Sequence, residues 1–142
     1  MKKLLTLTLS LIFALNLASA VSAGNFDWQI KARKASMTLR AFNLGILGAM
    51  AKGDMKYDAD KANVAAGNLA ALANMNESAM WPQKSDMTAN PGITRAKLEI
   101  WTTFPKIGES SKAFKDSAAK MAAAAGSGID GIRANIRANS GV

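Results

Sequence analysis

Apolar side chains in this sequence recur every three or four positions along four separate stretches. Recurrence at this interval places apolar residues on one face of an α-helix. No stretch alternates apolar with polar residues between hairpin turns, which is the pattern that strands need. The sequence therefore predicts an all-α fold, in which glycines and prolines separate the helices.

The predicted helices have the lengths expected of a bundle. They span residues 26–51, 58–76, 97–125 and 129 onward, and a long loop covers residues 77–97. Asp27 is a candidate N-cap or first-turn acid, Asp58 is a candidate N-cap, and Gly53 suits a left-handed helix end. Pro105 falls inside the third helix, so we expect either a kink or a helix that restarts near this residue.

The same spacing gives the expected core, to which Trp81 is added as a cover over the end of the bundle. The core residues are Ile30, Met37, Ala41, Leu44, Leu47, Ala62, Ala65, Leu69, Leu72, Met75, Ile100, Trp101, Phe104, Ile107, Phe114, Ala118, Met121, Ala125, Ile129, Ile132 and Ile136. These elements predict an up-down-up-down four-helix bundle. The last helix has only about three turns, so we expect a fourth helix that is truncated relative to its partners.

The N-terminus has the organisation of a secretory signal peptide. Lys2 and Lys3 precede an apolar run, and the small-residue sites 18–20 (ASA) and 21–23 (VSA) follow it. The run is too short for a comfortable membrane span, although an uncleaved anchor is the alternative. The two sites leave the cleavage point open. The later one gives a signal peptide of residues 1–23 and a single domain, residues 24–142, that is periplasmic and not stably inserted in a membrane.

Composition excludes several functions. The 142 residues contain no cysteine and no histidine, so they offer neither a thiolate metal site nor a nucleophile–histidine pair, and we do not expect an enzyme. The net charge is +8, but the lysines are spread and the chain is exported, so nucleic acid is not an expected partner. Methionine could bind Cu(I), but the seven methionines after Met1 form no tight cluster, and packing explains them better.

Several segments, in this order and with these spacings, resemble the cytochromes c′, four-helix haem proteins of bacterial periplasms. They are residues 30–34 (IKARK) with Met37, 48–54 (GAMAKGD) followed by 57–59 (YDA), 79–82 (AMWP) followed by 94–97 (TRAK), and 99–101 (EIW) followed by Phe104, 112–114 (KAF) and 122–125 (AAAA). The resemblance covers essentially the whole chain after the signal peptide.

The resemblance implies a haem c cofactor and a function in electron transfer or small-gas binding. It implies that Arg33 and Met37 lie on the distal side of the haem, that the partner is a redox protein or a small gas, and that two copies pair through their first two helices. The alternative for Arg33 and Met37 is a surface cation and a core methionine. The family closes with a Cys-x-x-Cys-His run that anchors and ligates the haem. These residues are absent here, so haem c cannot be covalently attached to this chain.

Two hypotheses follow from that absence. In the first, the chain is a cytochrome c′ without its C-terminal end, and its haem function belongs to a longer polypeptide. In the second, it is a haem-free periplasmic bundle with a binding or structural function. A haem held only by methionine is conceivable but unusual.

Overall fold

A computed structural model describes residues 26–139 of the chain. The predicted signal peptide, residues 1–23, and the predicted stop at residues 140–142 lie outside the described residues. None of the described helices is both long and apolar enough to cross a membrane.

The described chain is helical, as the periodicity predicts. The helices are α1 (Asp27–Lys52), α2 (Ala59–Asn74), α3 (Glu99–Thr102), α4 (Phe104–Ala124) and α5 (Ile129–Asn139). Two 3₁₀ turns, Ser78–Met80 and Ala125–Ser127, lie in the connections. The prediction of a restart at Pro105 is confirmed, because α3 ends at Thr102 and α4 begins one residue before the proline. A proline at this position leaves no interior helix hydrogen bond unmade.

The helix ends follow the predicted capping chemistry. The backbone N–H of Lys61 donates to the Asp58 carboxylate at 3.0 Å, which confirms Asp58 as the N-cap of α2. This hydrogen bond lowers the pKa of Asp58 below its ordinary value. Gly53 closes α1 with φ +89°, a backbone conformation that is strained for residues other than glycine. Asp27 lies in the first turn of α1 and is not its N-cap, because Phe26 occupies that position.

The four longer helices form a bundle in which α2 and α5 each contact both α1 and α4. Helices α1 and α4 therefore lie diagonally opposite each other. The core contains Leu47, Met50, Ala62, Ala65, Ala66, Leu69, Ala73, Ala118, Met121, Ala125 and Ile132. Most of the α2 contribution is alanine, which allows its neighbours to approach closely. At the start of α5, a Cβ added to Gly131 would lie 2.7 Å from the backbone oxygen of Ala124.

Tyr57 fixes the connection between α4 and α5. Its hydroxyl donates to the backbone oxygen of Ala125 at 2.9 Å and accepts from the N–H of Gly128 at 3.0 Å. On the same side of the bundle, the Arg133 Nε donates to the backbone oxygen of Ala51 at 3.0 Å. These bonds hold the start of α5 against the C-terminal end of α1.

Part of the predicted core is wrong. Met37 and Leu44 on α1 are 52% and 50% exposed, and Phe104 at the start of α4 is 72% exposed. The other exposed members of the predicted core are Ala41, Met75 and Ile107. Helix α5 has 11 residues and spans about 16 Å, against about 39 Å for the 26 residues of α1. It contacts α1 and α4 and binds the C-terminal end of α1 through Arg133, and Met37, Leu44 and Phe104 stay exposed among residues 26–136.

Candidate functional site

Arg33 joins α1 to the long loop between α2 and α3. Its side chain is buried, with 3% exposed, and its guanidinium donates from Nη1 to Ser85 Oγ at 2.7 Å. From Nη2 it donates to the Ser85 backbone oxygen at 2.5 Å and to Thr94 Oγ1 at 2.9 Å. The guanidinium also lies 4.8 Å from the ring centre of Trp81, at cation–π distance. One α1 side chain therefore binds three separate positions of the loop.

The charge of Arg33 is offset within the same loop. Burial lowers the pKa of Arg33, and the nearby Asp86 carboxylate opposes that shift. The starting value is so high that the guanidinium stays protonated. Burial by itself would raise the pKa of Asp86, but the N–H groups of Ala89 and Thr88 donate to the carboxylate and leave the pKa of Asp86 lowered. The loop therefore supplies both the acceptors and the counter-charge for the arginine.

Met37, the second residue that the resemblance assigns to the haem, has the opposite environment. It lies one turn beyond Arg33 on α1, and its side chain is half exposed. The Arg40 Nη1 approaches its sulfur at 3.9 Å. The alternative expectation, a surface arginine and a core methionine, is therefore wrong for both side chains. The structure places Arg33 under the loop and Met37 on the surface, and their assignment to a haem stays a prediction.

Trp81 lies beside Arg33 at the end of the bundle, where it was expected to cover the core. It is partly buried, its ring centre is 6.2 Å from that of Trp101, and its backbone oxygen accepts from Trp101 Nε1 at 3.0 Å. The two tryptophans thus fasten α3 to the loop that Arg33 holds. Trp81 packs on Arg33 of α1 and on Trp101 of α3.

A second polar cluster on α1 was missed by sequence reasoning. Ser36 Oγ donates to the Glu77 carboxylate, and Arg40 Nη2 forms an ion pair with the same carboxylate at 2.7 Å. The Arg40 guanidinium also lies 4.7 Å from the ring centre of Phe114 on α4. Within the described residues, the buried Arg40 Nε has no hydrogen-bond partner.

The signal for this cluster was present in the sequence. Arg33, Ser36, Arg40 and Asn43 follow one another at helical spacing on the face that also carries Ile30. Asn43 is buried and accepts a hydrogen bond from Asn68 Nδ2 of α2 at 3.0 Å. A search for apolar periodicity passes over such a polar stripe, because polar residues at helical spacing are typical of the solvated face of a helix.

The donor set does not fit a covalently attached haem. Haem c requires cysteine thioethers and, as a rule, a histidine on the iron, and the 142-residue sequence has neither residue type. Among residues 26–139, no three acidic side chains come together as a group that could hold a metal ion. The structure also exposes large apolar side chains, among them Met37 and Leu44 on α1 and Phe104 and Ile107 on α4.

Comparison with known proteins identifies the architecture. Residues 28–141 match the sequence profile of the family described as cytochrome c′. Cytochrome c-554 of Cereibacter sphaeroides is 35% identical over 133 residues, which cover 94% of this chain and 85% of that protein. A solved cytochrome c′ from Rhodobacter sphaeroides has a TM-score of 0.78 at 30% identity and covers 83% of this chain and 90% of its own.

A further solved cytochrome c′, one with ligand-controlled dimer dissociation, has a TM-score of 0.67 at 22% identity. That match covers 80% of this chain and 86% of its own and shows the shared fold. The matched residues include all four longer helices and the loop that Arg33 holds. The chain therefore belongs to the cytochrome c′ family, the haem-binding four-helix bundles that its sequence segments resemble.

Proposed function

We propose that this chain is the scaffold of a periplasmic cytochrome c′ for electron transfer or small-gas binding, and that residues 1–142 by themselves retain no haem. The observation that carries the proposal is a family fold without a single cysteine or histidine. Thioether bonds cannot form without cysteine, and the usual axial ligand is missing as well. The protein in this form has no redox activity and is not an enzyme.

The resemblance assigns the distal side of a haem to Met37 and Arg33, and we infer a distinct task for each. Met37 is half exposed on α1, so its thioether is accessible to a ligand beside the Arg40 guanidinium. Arg33 is fully engaged with Ser85 and Thr94, so it acts by holding the loop and Trp81 in place. Arg33 is a positioning residue in this proposal, and Met37 is the contacting residue.

Export to the periplasm rests on the N-terminal sequence. Lys2 and Lys3, the apolar run and the small-residue site that ends at Ala23 are the parts that signal peptidase systems recognise. Mass spectrometry of protein recovered from the periplasm is expected to show an N-terminus at Gly24. An unprocessed chain held in the membrane fraction would contradict this assignment.

Haem staining tests the central proposal. We expect the chain, co-expressed with a haem-attachment system, to give no haem-stained band on a denaturing gel and no pyridine-haemochrome signal. A variant with a Cys-x-x-Cys-His run appended after Val142 is expected to give both, with a high-spin spectrum. The matched control carries Ser-x-x-Ser-His. A stained band from the unextended chain would refute the proposal.

The second candidate function is a haem-free binding or structural bundle. It is favoured by the core around Leu47, Met50 and Met121, which is built from buried side chains of α1, α2, α4 and α5. In this case the unextended protein is colourless, folded and cooperatively unfolding, and the extended variant also fails to take up haem. The extended variant therefore separates the two functions.

We also propose that two copies pair through α1 and α2. These helices expose Leu39 and Phe42 on α1, Val64 on α2 and Met75 directly after α2, and the Asn43–Asn68 hydrogen bond joins the two helices. Contiguous exposed apolar side chains are typical of association surfaces. Phe42→Glu is expected to convert the dimer to a monomer in light scattering. Phe104→Glu, an equally exposed phenylalanine on α4, is the control; a monomeric parent chain would overturn the proposal.

A further inference from the structure

A pocket lies at the break between α3 and α4, and its lining includes none of the residues that bind Arg33. Thr103 separates the two helices, since Pro105 has no N–H to donate and its ring would clash with the carbonyl of Trp101 in a continuous helix. An open pocket of about 300 Å³ lies against this break. Its apolar lining comes from Ile100 and Ile107.

Cations surround this apolar lining. Arg95, Lys97 and Lys106 line the pocket, and Glu99 is the single acid among its lining residues. All three cationic residues are exposed, and none belongs to an ion pair in the described part of the chain. The three cations outnumber the one acid, so the local charge is net positive and attracts an anionic group to the mouth of the pocket.

The size of the pocket restricts the ligand. Pockets for small molecules span roughly 300–1,000 Å³, so this one is at the lower limit and is too small to enclose a macrocycle. Leu98 and Phe104, both at least half exposed, lie in the same segment and extend the apolar surface. A ligand that satisfies both parts has one anionic end and a short apolar body.

We propose that the pocket at the α3–α4 break binds a small anionic amphiphile, a medium-chain carboxylate, with its head group at Arg95, Lys97 and Lys106 and its chain on Ile100 and Ile107. The site requires no iron and no cysteine, so it is independent of the haem proposal. It gives the protein a binding activity in the form in which it exists.

Titration of the purified protein with octanoate tests this site. We expect saturable binding by calorimetry, with amide chemical-shift changes at Ile100, Thr103 and Ile107, and weaker binding as salt is added. The double variant Arg95→Ala/Lys106→Ala is expected to weaken octanoate binding about fivefold, since each exposed ion pair contributes only modestly. The charge-matched control Lys56→Ala/Lys115→Ala, on exposed lysines outside the pocket, should bind as the parent does.

Two further measurements separate the parts of the proposal. Octanol has the same chain without the charge and is expected to bind at least fivefold more weakly than octanoate. Ile107→Ser is expected to weaken octanoate binding, because it removes apolar contact and leaves the cations in place. The proposal would be overturned if octanol and octanoate bound equally well, or if the control double variant lost as much octanoate affinity as Arg95→Ala/Lys106→Ala. Amide chemical-shift changes confined to another surface, or no binding at millimolar octanoate, would also overturn it.

Discussion

Replacement of Arg33 by alanine tests whether one buried side chain holds the 81–98 segment on the bundle. The guanidinium makes three hydrogen bonds, to Ser85 Oγ, the Ser85 carbonyl and Thr94 Oγ1, and it stacks on Trp81. A hydrogen bond to a charged group contributes about 1.5–3 kcal/mol net. Arg33→Ala also removes the free-energy cost of burying the guanidinium, so the contributions of the three hydrogen bonds do not simply add.

The loss in the free energy of unfolding is therefore expected to be about 3 kcal/mol, within the usual range for breaking a buried charged network. Asp86 limits the damage, because its carboxylate keeps the N–H groups of Thr88 and Ala89 as partners. A loss of this size lowers the melting temperature by roughly 10 °C in a domain of this length. It is a large share of the 5–15 kcal/mol typical of a folded domain.

Urea unfolding followed by circular dichroism gives the free energy, and tryptophan fluorescence reports on Trp81. Lys34→Ala is the matched control: Lys34 is the next residue and donates to the Ile93 carbonyl of the same segment at 2.5 Å, but its contact is exposed. Its loss should stay below about 1 kcal/mol, since exposed contacts contribute little. Arg33→Lys should fall between the two, because one ammonium cannot serve Ser85 and Thr94 in the same fork geometry. If Arg33→Ala lost no more than Lys34→Ala and left the tryptophan emission unchanged, the reasoning would be refuted.

Three further outcomes are expected. Gly131→Ala should lower the free energy of unfolding by about 1–3 kcal/mol, because the new Cβ meets the Ala124 oxygen. Gly67→Ala, with open space around the new Cβ, should raise the free energy of unfolding slightly. Similar effects of the two substitutions in chemical denaturation would contradict the close approach at Gly131. The lowered pKa of Asp58 gives a stabilisation that is complete above the unfolded pKa of about 3.9 and is lost as pH falls through the folded pKa. Asp58→Asn should therefore lose less of its urea resistance below about pH 4 than the parent does. An unchanged pH profile would exclude that contribution. Tyr57→Phe removes both bonds of the hydroxyl and should cost about 1–2 kcal/mol in thermal unfolding; no change would show that water replaces it without loss.

The helices were predictable because local chemistry decides where they begin and end. Asp58, Gly53 and Pro105 each act through their own backbone or side chain, and the structure has each of them in the predicted role. Phe104 was misassigned for a different reason. Its periodicity is correct, but burial also requires a neighbouring element that covers the side chain, and Phe104 stays 72% exposed in the described part of the chain.

The candidate site was less accessible to sequence reasoning. Arg33 was singled out by resemblance alone, and nothing in its local sequence shows that its partners are Ser85 and Thr94, more than fifty positions away. Met37 has the spacing of a core residue, yet the loop that covers Arg33 does not cover it. Long-range partners of this kind depend on the path of a loop, which has no periodicity to reveal it.

The buried polar stripe of α1 has a consequence for how the chain selects one native arrangement. The α2 surface that faces the core is mostly alanine, and alanines spaced at helical intervals look alike from one turn to the next. A helix sliding on such a surface by 5.4 Å would lose little apolar contact. It would, however, strand the Asn43 and Arg40 side chains away from Asn68 and Glu77. A shift of this kind would therefore break the Asn43–Asn68 and Arg40–Glu77 contacts. We infer that these two pairs contribute more to specifying the alignment of α1 than to the free energy of unfolding.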